Sequence, residues 1–208
     1  VIARALTSED FAAATNVSRE TMGRLQIYAA TLEKWQPKIN LVGASTLNDL
    51  WQRHFLDSAQ LTPYLGDSLC DLGSGAGFPG LVLSIITGKN AILIESDQRK
   101  SAFLREVIRQ TGANAIVFAQ RIEDCRDAAT DTVIARALAP LPTLMAWAGP
   151  ILARSGALQT RAIFLKGQNV EGEIETLSKM WDFAIELKQS VTDPSGVIVV
   201  LKNPRRKA

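Results

Sequence analysis

The residues with the most chemical capacity lie in one run of the chain, Leu69-Cys70-Asp71-Leu72-Gly73-Ser74-Gly75-Ala76-Gly77-Phe78-Pro79-Gly80. Alternate glycines let a backbone turn sharply and let a ligand approach it closely. Dinucleotide enzymes use a related turn in the form G-x-G-x-x-G. Two residues depart from that form: Phe78 stands where its third glycine would fall, and the acid Asp71 precedes the loop. A pyrophosphate at a helix N-terminus wants donors and positive potential, and a nearby carboxylate opposes it. S-adenosyl-L-methionine carries a sulfonium and an ammonium and no phosphate, so an acid beside the loop suits it. Asp71 is therefore expected to help hold its cationic end, with Gly73, Gly75, Gly77 and Phe78 meeting the rest.

Three further positions extend this site. Ala91-Ile92-Leu93-Ile94-Glu95 is an apolar run closing on an acid 22 residues after Gly73, where nucleotide-binding sheets place a carboxylate on the ribose hydroxyls. Gln120-Arg121-Ile122-Glu123-Asp124 follows a third apolar run, and there Ile122 would cover an adenine while Glu123 or a backbone amide reads its edge. A fourth run, 131–135, delivers Arg136 to the same edge. Methyl transfer from a sulfonium is an in-line displacement in which the protein mainly aligns the reactants, so Arg136 is expected to position and no general base is required of it. The acceptor is narrowed by what is missing. Ala135-Arg136-Ala137-Leu138-Ala139-Pro140 lacks the Asn or Asp, two prolines and aromatic of exocyclic-amine methylation. Cys70 lies in an apolar run and Cys125 has only Arg121 and Arg126 to activate it, which disfavours a cysteine nucleophile. A ring nitrogen with a free lone pair, such as guanine N7, needs neither device.

These residues require a scaffold of βα units. Strands are expected near 68–72, 91–95, 115–119, 131–135 and 161–165, and helices near 79–87, 98–111, 142–153 and 170–180. Asp97 is the expected N-cap and Gly112 the stop of the second helix. The runs 183–189 and 197–202 flank Asp193-Pro194-Ser195-Gly196, which is turn chemistry for an antiparallel edge hairpin. Upstream, Leu25, Tyr28, Ala29, Leu32 and Trp35 repeat at helical spacing behind Ser18, and a second amphipathic helix is expected from about 47 to 61. The expected fold is thus α/β and Rossmann-like, a doubly wound, mostly parallel sheet. Residues 1–66 would form a helical cap without chemistry of its own, and residues 67–208 the core of one compact domain. His54 and Asp57, three apart, read as a structural hydrogen bond, and the four tryptophans as core.

The 208 residues are 47 % hydrophobic and 21 % charged, with net charge +2 and pI near 8.6. That balance buries a real core and gives no strongly basic face. Any RNA contact must come from local groups, of which Lys100, Lys166, Arg205 and Arg206 are the natural phosphate partners, with affinity falling steeply in salt. Otherwise the tail reads as a solvated end. Two distant cysteines and one histidine give no metal site or disulfide framework. No apolar run approaches roughly 18 residues and no leader is evident, so a cytoplasmic protein without a membrane or obligate protein partner is expected. The chain opens at Val1, and a longer or processed N-terminus is expected.

The order of these pieces resembles one family, the bacterial 16S rRNA guanine-N7 methyltransferases, the methyltransferase G family also called glucose-inhibited division protein B. The likeness covers nearly the whole chain. It rests on Trp35 with Asn40-Leu41, Arg53-His54-Phe55-Leu56-Asp57-Ser58, Asp71 through Gly80, Arg121-Ile122-Glu123, Ala135 through Leu141, and Phe164-Leu165-Lys166-Gly167. It implies methyl transfer to N7 of a guanine in the 530 loop of 16S rRNA, free or in the 30S subunit, with cofactor contacts at Gly73, Phe78, Ile122, Glu123 and Arg136. Two features depart from the family pattern: Leu41-Val42-Gly43, where a Thr often follows Asn-Leu, and a longer segment over 156–162. Without the resemblance three readings stay open: an RNA methyltransferase, a small-molecule methyltransferase, and a dinucleotide-dependent oxidoreductase or nucleotide-binding module.

Overall fold

The computed structural model describes residues 5–167 and 170–207. Five parallel strands, β1 (Ser68–Leu72), β2 (Asn90–Ile94), β3 (Ala115–Phe118), β4 (Thr132–Arg136) and β5 (Arg161–Lys166), join the antiparallel pair β6 (Trp181–Gln189) and β7 (Val197–Arg206) in the order β3-β2-β1-β4-β5-β7-β6. Strand order reverses between β1 and β4, and ligands gather outside the carboxyl ends of strands at such a point. The hairpin enters with β7 beside β5, leaving β6 at the edge.

Helices α5 (Gly80–Thr87), α6 (Gln98–Thr111), α7 (Leu141–Arg154) and α8 (Glu171–Ser178) cover the sheet. Asp97 caps α6 by accepting from the amides of Arg99 and Lys100, and Gly112 ends it in the left-handed region at φ 63°. Pro79 precedes α5 and is its N-cap, one residue outside the expected start.

Three expectations change. A helix α1 (Ser8–Thr15), absent from the sequence reading, precedes α2 (Arg19–Trp35); Thr7 and Asp10 form its capping box. The single helix expected over 47–61 is broken into α3 (Ala44–Leu47), a π-helical turn Trp51–Leu56, α4 (Asp57–Ala59) and a 3-10 turn Thr62–Tyr64. The tail is no free end: β7 runs on through Arg206, opposite Trp181, past a left-handed Asn203 at φ 48°.

On one sheet face α5 and α6 share a core with the cap, in which Tyr28, Phe55, Phe78, Phe103 and Leu104 are buried together. On the other, α7 and α8 bury Met145, Ile151, Phe164 and Trp181. No helix among the described residues is long and apolar enough to cross a membrane.

Candidate active site

Where β1 turns into α5, Gly73, Gly75 and Gly77 take φ values of 64°, 57° and 92°, a region open to glycine at little cost. Gly77 has a second constraint, because a Cβ there would lie 2.5 Å from the Tyr28 hydroxyl and 3.0 Å from Leu104. Tyr28, fully buried on α2, donates its hydroxyl hydrogen to the carbonyl of Ala76 in the middle of the loop. Its ring stacks on Phe78 at 5.3 Å and 14°. Phe78 is in turn enclosed by Phe55, by His54 at 4.9 Å, and by the Arg136 guanidinium 5.4 Å above its centre. The Phe78 ring is committed to this cluster, so any cofactor contact falls to its backbone.

Tyr28→Phe should therefore weaken cofactor binding about 5- to 10-fold while keeping the aromatic packing, since one neutral hydrogen bond contributes about 1 kcal/mol. Calorimetric titration with S-adenosylmethionine checks this; an unchanged Kd would mean that the loop holds its shape unaided.

Glu95 follows β2 and is 8 % exposed. Its Oε2 accepts from the Gly75 amide at 2.8 Å and its Oε1 from the Asp97 amide at 2.7 Å. The carboxylate thus fastens the loop to the neighbouring strand end, and its remaining lone pairs are left for a ligand's hydroxyls. Ile122, half-buried, and exposed Glu123 begin a short turn after β3 on the same edge. Gly73, Gly75, Glu95, Ile122 and Glu123 accordingly follow one another along the carboxyl ends of β1, β2 and β3. Left-handed glycines without a Cβ, flanked by carboxylates, fit a cationic nucleoside such as S-adenosylmethionine.

Asp71 is 1 % exposed. Its Oδ2 accepts from the Gly80 amide at 3.0 Å, while its buried Oδ1 has no partner among the described residues. It lies beneath the loop and pins the start of α5, so direct contact with a ligand is not what this geometry provides. Burial pushes its carboxyl up to about 7 from 3.8, against the opposing pull of the Gly80 amide. Between these values the folded chain holds a proton that the unfolded chain has lost. Stability then falls as pH rises through that window, by up to about 1.4 kcal/mol per unit, and levels off above it. Asp71→Asn, which keeps an acceptor for Gly80, should gain stability relative to the parent between pH 5 and pH 8. Urea unfolding at the two pH values checks this; a parallel offset at both would show that the carboxyl does not titrate there.

Arg136, at the end of β4, pairs with neither Asp131 nor Asp124. It reaches the cap instead, where Nη1 donates to Asp57 Oδ2 at 3.2 Å and to the Arg53 carbonyl at 3.1 Å, and Nη2 meets His54 Nδ1 at 3.0 Å. Because Arg136 donates to Nδ1, the proton of neutral His54 sits on Nε2 and is given to Thr46 Oγ1 at 2.8 Å. Burial, followed by the charges of Arg136 and Arg53, lowers His54 to about 3. Asp57 Oδ1 also accepts from Thr192 at 2.6 Å, in the turn between β6 and β7. His54 and Asp57 are thus joined through Arg136, which ties the cap to the end of β4. The π-helical turn, a form frequent at functional sites, brings Arg53, His54 and Asp57 to one side.

These groups wall a cavity of about 660 Å³ beside the loop after β4. In that loop Ala137 holds φ 49°, a conformation that costs a non-glycine residue about 1–2 kcal/mol and that surrounding structure must enforce. Lys166 does so by donating to the Ala139 carbonyl at 3.0 Å, and Glu173 by accepting from the Leu141 amide at 2.6 Å and from Lys166 at 2.9 Å. Lys166 is therefore engaged within the protein. Lys100 sits in the first turn of α6, near the carboxyl edge and half-buried. Arg205 and Arg206 lie elsewhere: β7 runs antiparallel to β5, so Val197 marks the carboxyl edge and the strand's far end marks the opposite one. Those two arginines are not brought to the cofactor loop.

Fold and site together define a class, the Rossmann-like methyltransferases that use S-adenosylmethionine. Solved structures agree in fold: an M. jannaschii protein in complex with AdoMet (TM-score 0.60, 13 % identity, 82 % of this chain and 80 % of that one) and the magnesium protoporphyrin IX methyltransferase of Synechocystis with bound SAM (TM-score 0.56, 16 % identity, 91 % and 98 %). The chain belongs to the rRNA small subunit methyltransferase G family, which it matches over residues 21–198. Proteins named ribosomal RNA small subunit methyltransferase G are 47 % identical to it in Paramagnetospirillum magneticum (95 % of this chain, 96 % of the relative) and 51 % identical in Rhodospirillum centenum (92 % and 88 %).

Proposed function

We propose that this protein methylates N7 of a guanine in the 530 loop of 16S rRNA, as free rRNA or within the 30S subunit, in the bacterial cytoplasm. The methyl group comes from the sulfonium of S-adenosylmethionine. Gly73, Gly75, Gly77, Glu95, Ile122 and Glu123 hold this cofactor along the carboxyl edge, with Asp71 and Phe78 shaping the loop from below and behind. Arg136 positions the acceptor side by locking residues of the 1–66 cap onto the 67–208 core.

The observation that carries this reading is that the two cap residues beside Arg136 that could take a proton, His54 and Asp57, are both engaged within the protein. His54 is lowered to about 3 and has both nitrogens occupied, and Asp57 has both oxygens occupied. An amine or hydroxyl acceptor must lose a proton, and a group placed to take it would be expected. Guanine N7 attacks with a lone pair it already has. The cavity is also lined by charged groups, Arg53, Asp57, Arg136, Lys166 and Glu173 among them, which favours a nucleic acid over a small apolar acceptor.

The test offers labelled S-adenosylmethionine with 30S subunits, deproteinised 16S rRNA and a metabolite extract. Label in RNA that declines steeply with added salt is expected. Label confined to the metabolite fraction would replace this reading with a small-molecule methyltransferase.

A further inference from the structure

We infer that the cavity between β4, the cap and the β6–β7 turn seats the acceptor base, and that Glu173 determines its specificity by accepting from the N1–H and N2-amino edge of guanine. This rests on the methyltransferase reading above. The cavity adjoins the cofactor loop through Leu138, beside the contacts of His54 and Arg136 with Phe78. Leu138 lines it and also covers Gly73, where a Cβ would lie 3.0 Å from Leu138 Cδ1.

The cavity's acidic groups differ in what they have left to offer. Asp57 Oδ1 takes hydrogen bonds from Thr192 and from Gln60 at 2.9 Å, and its Oδ2 takes one from Arg136. Asp193 Oδ1 takes the amide and hydroxyl of Ser195, and its Oδ2 faces Arg53 at 3.9 Å. On Glu173 the Leu141 amide and Lys166 both use Oε2, and Oε1 has no partner among the described residues. Glu173 is thus a carboxylate fixed through one oxygen and open at the other.

A fixed carboxylate oxygen suits two adjacent N–H donors. Guanine presents these at N1 and N2, whereas adenine presents a lone pair at N1 that a carboxylate repels. The choice also serves the reaction. The N7 lone pair forms the new C–N bond, the C–S electrons return to sulfur, and the sulfonium charge passes to the purine ring with no proton transferred. The ring's N1–H grows more acidic as that charge develops, so its bond to Glu173 strengthens most in the transition state.

The test uses the full chain and rRNA in which the target guanosine is replaced by inosine, which lacks the N2 amino group. With the parent protein, inosine should lower kcat/KM about 10- to 100-fold, the range for a hydrogen bond to a charged group. Glu173→Gln keeps an acceptor for Leu141. It should lower kcat/KM on guanosine at least about 10-fold, bring the guanosine-to-inosine ratio near one, and leave the Kd for S-adenosylmethionine unchanged. A folded variant with the parent's ratio would overturn the inference, as would a parent protein indifferent to inosine. If the glutamine variant does not fold, Glu173→Asp, which keeps the charge on a shorter arm, takes its place and should likewise bring the ratio toward one. Absence of any guanine N7 methylation by the parent would instead overturn the reading beneath it.

Discussion

Glu95→Ala is expected to weaken S-adenosylmethionine binding by at least about 100-fold. Two backbone amides, Gly75 and Asp97, point at this one carboxylate from opposite sides. Hydrogen bonds to a charged group contribute about 1.5–3 kcal/mol each, and removing the acceptor leaves both amides to find other partners. The loop then loses its tether to β2 at Gly75, and on the proposed cofactor binding the ligand's ribose would lose its carboxylate. Glu95→Gln, which can still accept from one amide, should fall between the parent and the alanine variant. Calorimetric titration of folded protein measures both; an alanine variant that binds as tightly as the parent would remove Glu95 from the cofactor site.

Arg136→Ala should lower methyl transfer at saturating cofactor by about 100-fold or more, and stability by about 2–3 kcal/mol. Breaking a buried charge pair costs about 3–5 kcal/mol; the pair of Arg136 and Asp57 retains 20 % and 16 % side-chain exposure, which reduces that figure. The larger loss falls on catalysis because one guanidinium holds three parts of the site: the π-helical turn through Arg53 and His54, α4 through Asp57, and through Asp57 the turn at Thr192. Arg136→Lys keeps the charge without the planar fork and should recover stability more than turnover. Urea unfolding and single-turnover transfer separate the two effects. An alanine variant that is less stable but turns over fully when folded would reduce Arg136 to a structural tie.

Much of this was legible from residue order. The strand, glycine loop and acid of 69–95 carry their own geometry, since a left-handed turn needs glycine and a strand end fixes where Glu95 emerges. Helix α6 was bounded by its caps, Asp97 and Gly112. What escaped depended on partners distant in sequence. Tyr28 reads as one more apolar position of α2, and only the folded chain sets its hydroxyl against Ala76, 48 residues on. Asp57 and Arg136 are 79 residues apart, and nothing in their spacing joins them. The carboxylate of Asp71 was read for its charge beside the loop, whereas its hydrogen bond to the Gly80 amide depends on burial in a central strand that residue type does not announce. Thr7 and Asp10 did carry a local signal, the capping box of α1. The left-handed Ala137 has no signature in its residue type, because neighbours impose it.

The central claim is the atom methylated, and nucleoside mass spectrometry tests it most directly. Purified protein is incubated with methyl-labelled S-adenosylmethionine and 16S rRNA lacking the modification, and the RNA is digested and mapped. A single labelled 7-methylguanosine in the 530 loop is the predicted result; label on another base, on an exocyclic nitrogen, or outside that loop would contradict it.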